Sequence, residues 1–253
     1  MKLSISRIKL FKSCRRAYEL KYIECLEPVE KADSLQTGLA YHEKLEQLYT
    51  EGSFDTDDMS KESAMACAYQ KYIYPKFKCR RPEEWFEYKL MTGDILVGRV
   101  DGIADDGRLV EHKTTSAEIT DEYEFNLQWD EQLLAYMLMT GAREIRYTVC
   151  RKPTIRQKKG ETDQEFFNRM VEWYDQDTET KIRLLQISRT DEEVEQFLDA
   201  VEKMACEMSQ TDHYYRNTSY CKHWGRMCEY APICLHYDPA QEYVEFQKVE
   251  RME

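Results

Sequence analysis

The chain has 253 residues, 42% hydrophobic and 33% charged, with a formal net charge of −12 at pH 7. That length suits one large domain with a sizeable core, or a core with one appendage. No run is long and apolar enough for a membrane-spanning helix, and the acidic balance excludes nucleic-acid binding through a general positive field.

The opening segment, MKLSISRIKLFKSCRR, is broken by Arg7, Lys9 and Lys12, and no small-residue cleavage site follows. It is therefore not read as a secretory leader, and the expected location is cytoplasmic. Ser4 or Ser6 can cap a helix running to about Ile23, with Ile8, Phe11, Tyr18 and Tyr22 at helical spacing. Helices are predicted over 34–51 and 60–78, and strands over 84–92 and 95–104. Asp105-Asp106-Gly107 then forms a turn signal, and 108–114 reads as the returning strand. A helix over 128–140, a buried strand over 144–151, a helix over 162–174 and a strand over 180–188 follow. A long acidic amphipathic helix over 190–210 completes the pattern. Helices around a central group of strands predict an α/β or α+β sandwich, with no linker to divide it.

Charge is unevenly placed. Basic residues cluster in Lys9/Lys12/Arg15/Arg16, in Lys76/Lys78/Arg80/Arg81 and in Arg151/Lys152/Arg156/Lys158/Lys159. The acidic excess lies in 51–62 and 161–207. Such clusters are most often solvated faces, so charge alone leaves nucleic-acid binding open.

The most informative stretch runs from Gly98 to Thr114. Asp101 lies within one apolar strand, and Glu111 and Lys113 lie on the next. Side chains two apart on a strand share a face, so Glu111 and Lys113 project together while His112 projects away. The turn between the strands can set Asp101 opposite them. Paired carboxylates bind hard divalent cations through oxygen. Such a cation activates water and neutralises charge on a phosphate, and a neighbouring lysine can stabilise the developing charge. Taken by itself the pattern also fits a cross-strand ion pair. His42 within a predicted helix can complete a metal's coordination. Gln132 and Tyr136, four apart on one helical face, can hydrogen-bond a phosphate or a base edge.

The order His42, Asp101, Glu111-x-Lys113, Gln132-x-x-x-Tyr136 resembles the motif series of RecB-type PD-(D/E)XK nucleases. The resemblance covers about residues 4–140. It implies a restriction-endonuclease-like core, a central mixed sheet flanked by helices, and hydrolysis of DNA phosphodiester bonds with Mg²⁺ or Mn²⁺. It further implies that His42, Asp101, Glu111 and the main-chain carbonyl of His112 are metal ligands. Lys113 is then the catalytic lysine, and Gln132 and Tyr136 position the substrate. Glu87 on the preceding strand is a candidate accessory carboxylate.

Nine cysteines, an odd number, argue against a disulfide framework in a reducing compartment. Cys25, Cys67, Cys79, Cys150 and Cys206 read as small buried hydrophobes. Six residues separate Cys221 from Cys228 and five separate Cys228 from Cys234, in a segment too irregular for helix or strand. Irregular backbone of this kind often wraps a metal centre, and Cys14 is the candidate fourth ligand. A structural zinc, with His223 or His236 as competing ligands, is the alternative. One cysteine before the nuclease motifs and three after them is similar to the AddB nuclease domain and the CRISPR-associated iron–sulfur exonuclease. That resemblance implies a [4Fe–4S] cluster on Cys14, Cys221, Cys228 and Cys234. It joins segments 1–30 and 211–240 around a core of 31–210, within a single domain of 1–253.

The expected function is a DNA exonuclease acting on single-stranded ends, in recombination, repair, phage DNA processing or CRISPR adaptation. It would act alone or beside a helicase, recombination or CRISPR integration partner. Arg15, Arg16, Arg151 and Lys152 are candidate DNA contacts. Two other readings remain: a DNA-binding module without catalysis, and a zinc-stabilised RNA-processing nuclease.

Overall fold

The computed structural model describes residues 1–29, 33–223, 226–234 and 246–249. In chain order, β1 (Lys2–Leu3), α1 (Ile5–Ser13), α2 (Arg15–Tyr18) and β2 (Leu26–Pro28) come first. Next are α3 (Asp33–Glu51), α4 (Lys61–Tyr72), β3 (Cys79–Lys89), β4 (Ile95–Ala104) and β5 (Leu109–Thr115). Then come α5 (Asp121–Asn126), α6 (Glu131–Thr140), β6 (Glu144–Arg151), α7 (Asp163–Trp173), β7 (Ile182–Ser188) and α8 (Asp191–Gln210). The short elements β8 (Lys222–His223), β9 (Arg226–Met227), α9 (Ala231–Cys234) and β10 (Phe246–Lys248) close the chain. No helix among the described residues is long and apolar enough to cross a membrane.

Two compact units form from interleaved segments: Met1–Ala32, Glu87–Gly98 and Glu195–Glu253 in one, Asp33–Phe86 and Arg99–Val194 in the other. The second holds most of a mixed sheet. Strand β3 pairs with β4 at its edge, and the order continues β4-β5-β6-β7. Strands β4 and β5 are antiparallel, β5 and β6 parallel, β6 and β7 antiparallel. The parallel step needs a crossover, which α5 and α6 supply.

Strand alternation divides this unit's core in two. On one face Val110 and Cys150 pack with Tyr41, Leu45 and Leu48 of α3 and Met65, Ala66 and Tyr69 of α4. On the other Leu109, Ile145, Tyr147 and Val149 pack with Leu133, Tyr136 and Met137 of α6. The fold is thus α/β, a mixed sheet flanked by helices.

Two helix boundaries differ from the sequence expectation. The first helix does not run unbroken to Ile23. Cys14 adopts an extended backbone (φ −158°, ψ 112°), and the chain restarts as α2 followed by a π-helical turn over Glu19–Ile23. No glycine or proline causes this break. Instead Asn217 donates its side-chain N–H to the Ser13 carbonyl at 2.8 Å, which takes up an end-of-helix acceptor. The third predicted helix stops at Tyr72 rather than 78, because Pro75 cannot continue it.

Gly102 on β4 illustrates how closely β3 and β4 approach. A Cβ there would lie 2.3 Å from Cys79 Sγ and 3.5 Å from the Arg81 carbonyl oxygen. Gly102→Ala is expected to cost about 1–3 kcal/mol, measured by urea unfolding. A second change, Cys79→Ala, should recover most of that loss; equal stability of the single and double variants would refute steric crowding as the cause.

Candidate active site

Strand β5 carries two sets of side chains to opposite faces. His112 points into the α3/α4 side, where its Nδ1 lies 2.6 Å from Thr148 Oγ1 and its ring stacks on Tyr49 and meets Tyr69 edge-on. Burial pushes this imidazole down to about 3, so it is neutral. Its backbone N–H donates to Asp101 Oδ2 at 2.6 Å, which pins β4 to β5. Glu111 and Lys113 project together on the α6 side. They form an ion pair, and Lys113 Nζ donates to Gln132 Oε1 at 3.1 Å. Gln132 Nε2 in turn donates to Tyr136 Oη at 2.5 Å. Helix α6 holds that pair firmly: Asp130 caps its start by accepting from Gln132 N–H, and Gly141 closes its end at φ 78°.

From α3, His42 presents Nδ1 at 3.4 Å from Asp101 Oδ1 and 3.9 Å from Glu83 Oε1. One ligand atom each from His42, Glu83 and Asp101 falls within 4.8 Å of the others, close enough for one metal ion. Glu83 was not expected from the sequence. It sits in β3 after Pro82 with a left-handed backbone (φ 56°), an unusual conformation for a non-glycine residue that turns its carboxylate inward. Arg99 Nε holds its other oxygen at 2.7 Å. Glu87, expected as the accessory carboxylate, instead pairs with Lys2 at 3.3 Å in the other unit. No local pattern marks Glu83: Pro82 beside it signals only an edge strand, where a ladder hydrogen bond is dispensable.

The electrostatics are those of a site short of positive charge. Burial alone would raise the Asp101 carboxyl, but the His42 hydrogen bond and the neighbouring cations hold it well below the usual range. Glu111 is 1% exposed, and beyond its Lys113 ion pair neither carboxylate oxygen has a hydrogen-bond partner. Burial, and then the charge of Asp101, push it up to about 8. His42 is also shifted: burial opposes its charge, yet the hydrogen bonds it donates to Asp101 and Glu83 carry it up to about 10. Buried carboxylate oxygens without partners beside a histidine and two further carboxylates fit a hard divalent cation.

A pH dependence follows with a definite sign. Glu111 ionises at 4.5 when unfolded and near 8 when folded, so stability is lost as pH rises between those values. His42, raised from 6.5 to about 10, loses its contribution as pH rises across that window. Each proton is worth about 1.4 kcal/mol per pH unit. Melting of the metal-free protein at about pH 5, 7 and 9 should show a falling Tm, and added Mg²⁺ or Mn²⁺ should raise it most at high pH. A metal-free Tm that climbs with pH would contradict this charge arrangement.

The remaining candidate residues lie as follows. In the first unit Cys14, Cys221, Cys228 and Cys234 all line one small cavity, closed by Ala17, Tyr220, Tyr230 and Ala231. Cys14, Ala17 and Tyr230 of its lining also pack with Leu20 in a small apolar cluster. Asn217 N–H lies 3.5 Å from Cys14 Sγ, and the Cys228 N–H donates to the Cys221 carbonyl at 2.8 Å. His236 and the side chain of His223 lie outside the described residues. The arginines expected to contact DNA are engaged within the protein. Arg15 pairs with Glu207 at 2.5 Å over the Phe11 ring, Arg16 with Glu24 at 3.0 Å, and Arg151 with Glu118 at 3.0 Å. Lys152 donates its backbone N–H to the Thr115 carbonyl at 2.8 Å.

The family model described as the PD-(D/E)XK nuclease superfamily matches residues 2–68 and 56–235. No curated protein matches the chain. Among solved structures, a putative exonuclease from Eubacterium rectale is 14% identical, with a TM-score of 0.54 over 96% of this chain and 91% of that one. SSO0001 is 14% identical with a TM-score of 0.44 over 85% and 79%. An alkaline exonuclease from Laribacter hongkongensis is 13% identical with a TM-score of 0.36 over 82% and 90%. The likeness to the Eubacterium rectale structure speaks to fold alone, whereas the family match spans nearly the whole chain and includes every residue of the carboxylate centre. The chain belongs to the PD-(D/E)XK nuclease superfamily.

Proposed function

We propose that this nuclease is a divalent-metal-dependent deoxyribonuclease acting on DNA ends, preferentially single-stranded ones. The observation that carries the reading is Glu111: a buried carboxylate beside Asp101 that is ion-paired with Lys113. His42, Glu83, Asp101 and Glu111 would hold Mg²⁺ or Mn²⁺, which when bound supplies Lewis acidity and charge neutralisation at the phosphate. Lys113 Nζ, held between Glu111 and Gln132, is placed to orient a water or steady charge on the phosphate oxygens. Gln132 and Tyr136 brace that ammonium and offer a hydrogen-bonding edge to the strand. Exposed Arg156, Lys158 and Lys159 offer backbone contacts beyond the ion-paired arginines.

We also propose that Cys14, Cys221, Cys228 and Cys234 ligate a [4Fe–4S] cluster. Their convergence on one cavity from both ends of the chain supports four thiolate ligands. A cluster bound there would tie α1 and α2 to the carboxyl-terminal segment.

The test compares end-labelled linear and closed circular DNA, each single- and double-stranded, with Mn²⁺ and with a chelator. Degradation of linear single strands alone, and only with metal, is the expected result. Equal attack on circles would discard action at ends, and equal attack on an RNA of the same sequence would discard DNA specificity.

A further inference from the structure

We infer that Trp85 and Trp129 are base-stacking platforms that hold unpaired nucleotides on either side of the carboxylate centre; the inference rests on the nuclease reading above. Both rings are unusually open for tryptophan, at 65% and 70% exposed. Their positions are tied to the site by separate contacts. At one edge, Arg99 Nε binds Glu83 Oε2 at 2.7 Å while its guanidinium carbon lies 5.9 Å from the Trp85 ring. A ring beside a half-exposed guanidinium offers stacking for a base and a positive charge for the adjoining phosphate.

At the other edge, Trp129 immediately precedes Asp130, the cap of the helix that carries Gln132 and Tyr136. Asp130 Oδ1 accepts from the Gln132 N–H at 3.0 Å, and Gln132 Oε1 accepts from Lys113 Nζ at 3.1 Å, which ties this turn to the ammonium. The turn is rigid. Leu127 is buried, its carbonyl accepts from Arg189 at 2.8 Å and from Asp130 N–H at 3.1 Å, and Phe125 meets Trp129 edge-on at 6.2 Å. Large apolar rings held open on fixed backbone keep their contact area free at little further entropy cost on binding.

The contacts form one chain across the site: Trp85, Arg99, Glu83, His42, Asp101, His112 N–H, then Glu111, Lys113, Gln132. Trp85 begins it, and at its other end the Gln132 N–H donates to Asp130, the residue after Trp129, so the phosphate-handling groups lie between the two. Stacking is indifferent to base identity but requires that bases be unpaired, so the arrangement selects single-stranded over duplex ends without reading sequence.

The test is equilibrium binding in EDTA, where no strand is cut, to oligothymidylate and to an abasic oligomer of equal length. Wild-type protein should prefer the base-bearing strand by roughly tenfold or more. Trp85→Ala and Trp129→Ala should each weaken oligothymidylate binding about tenfold while leaving abasic binding unchanged, and Trp85→Phe should recover most of the loss. Circular dichroism of each variant guards against misfolding. Equal affinity of the wild type for the two strands, or unchanged binding in both alanine variants, overturns the inference. If in that case the protein still cuts DNA with Mn²⁺, the nuclease reading stands and only the platforms fall. Failure to bind or cut either strand removes both.

Discussion

Lys113→Ala is expected to lower strand cleavage about 100- to 1000-fold, the usual range for removing a preorganised group that stabilises transition-state charge. The protein should remain folded, because the half-buried ammonium packs against Glu111 and Gln132 rather than filling the apolar core. Loss of the ammonium leaves Glu111 more firmly protonated, so metal affinity should fall modestly and recover as pH rises. Single-turnover cleavage with saturating Mn²⁺ separates that effect from chemistry. A variant that cuts at the wild-type rate once metal is saturating would show Lys113 to act only through the cation.

Cys14→Ser is expected to have the largest effect on stability. The proposed cluster draws ligands from residues more than two hundred positions apart, so losing one thiolate releases a very long loop. Iron content should fall from about four per chain, and limited proteolysis should open the 211–234 segment. Tm should drop on the order of 10 °C, as loss of several kcal/mol implies for a chain of this size. Cys206→Ser is the control, since Cys206 is exposed on α8 and lies outside the cavity. A Cys14→Ser protein with unchanged colour, iron content and Tm would show that the four cysteines are merely buried.

What the sequence made legible follows from which signals are local. The β4-β5 hairpin was readable because the turn at Asp105-Asp106-Gly107 and strand alternation are local, and Gly107 indeed takes a positive φ of 81°. The same alternation placed His112 away from Glu111 and Lys113. Glu83 was not readable, because its left-handed backbone beside Pro82 is imposed by the edge of the sheet rather than by any neighbouring pattern. The break at Cys14 was hidden for a related reason: its partner is Asn217, about two hundred residues away. The basic clusters left nucleic-acid contact open because composition counts charges without showing which are paired. Arg15, Arg16 and Arg151 each face a carboxylate brought in by the fold.

If the His42–Asp101–Glu111 centre cuts DNA only with a divalent cation, digestion of a 5′-labelled single strand by the wild type and by Asp101→Asn across a Mn²⁺ titration will show it. Cleavage by the wild type should rise with Mn²⁺ and vanish in EDTA, and Asp101→Asn should lose at least about 100-fold at every concentration. Cleavage that persists in EDTA, or an Asp101→Asn protein as active as the wild type, would contradict it.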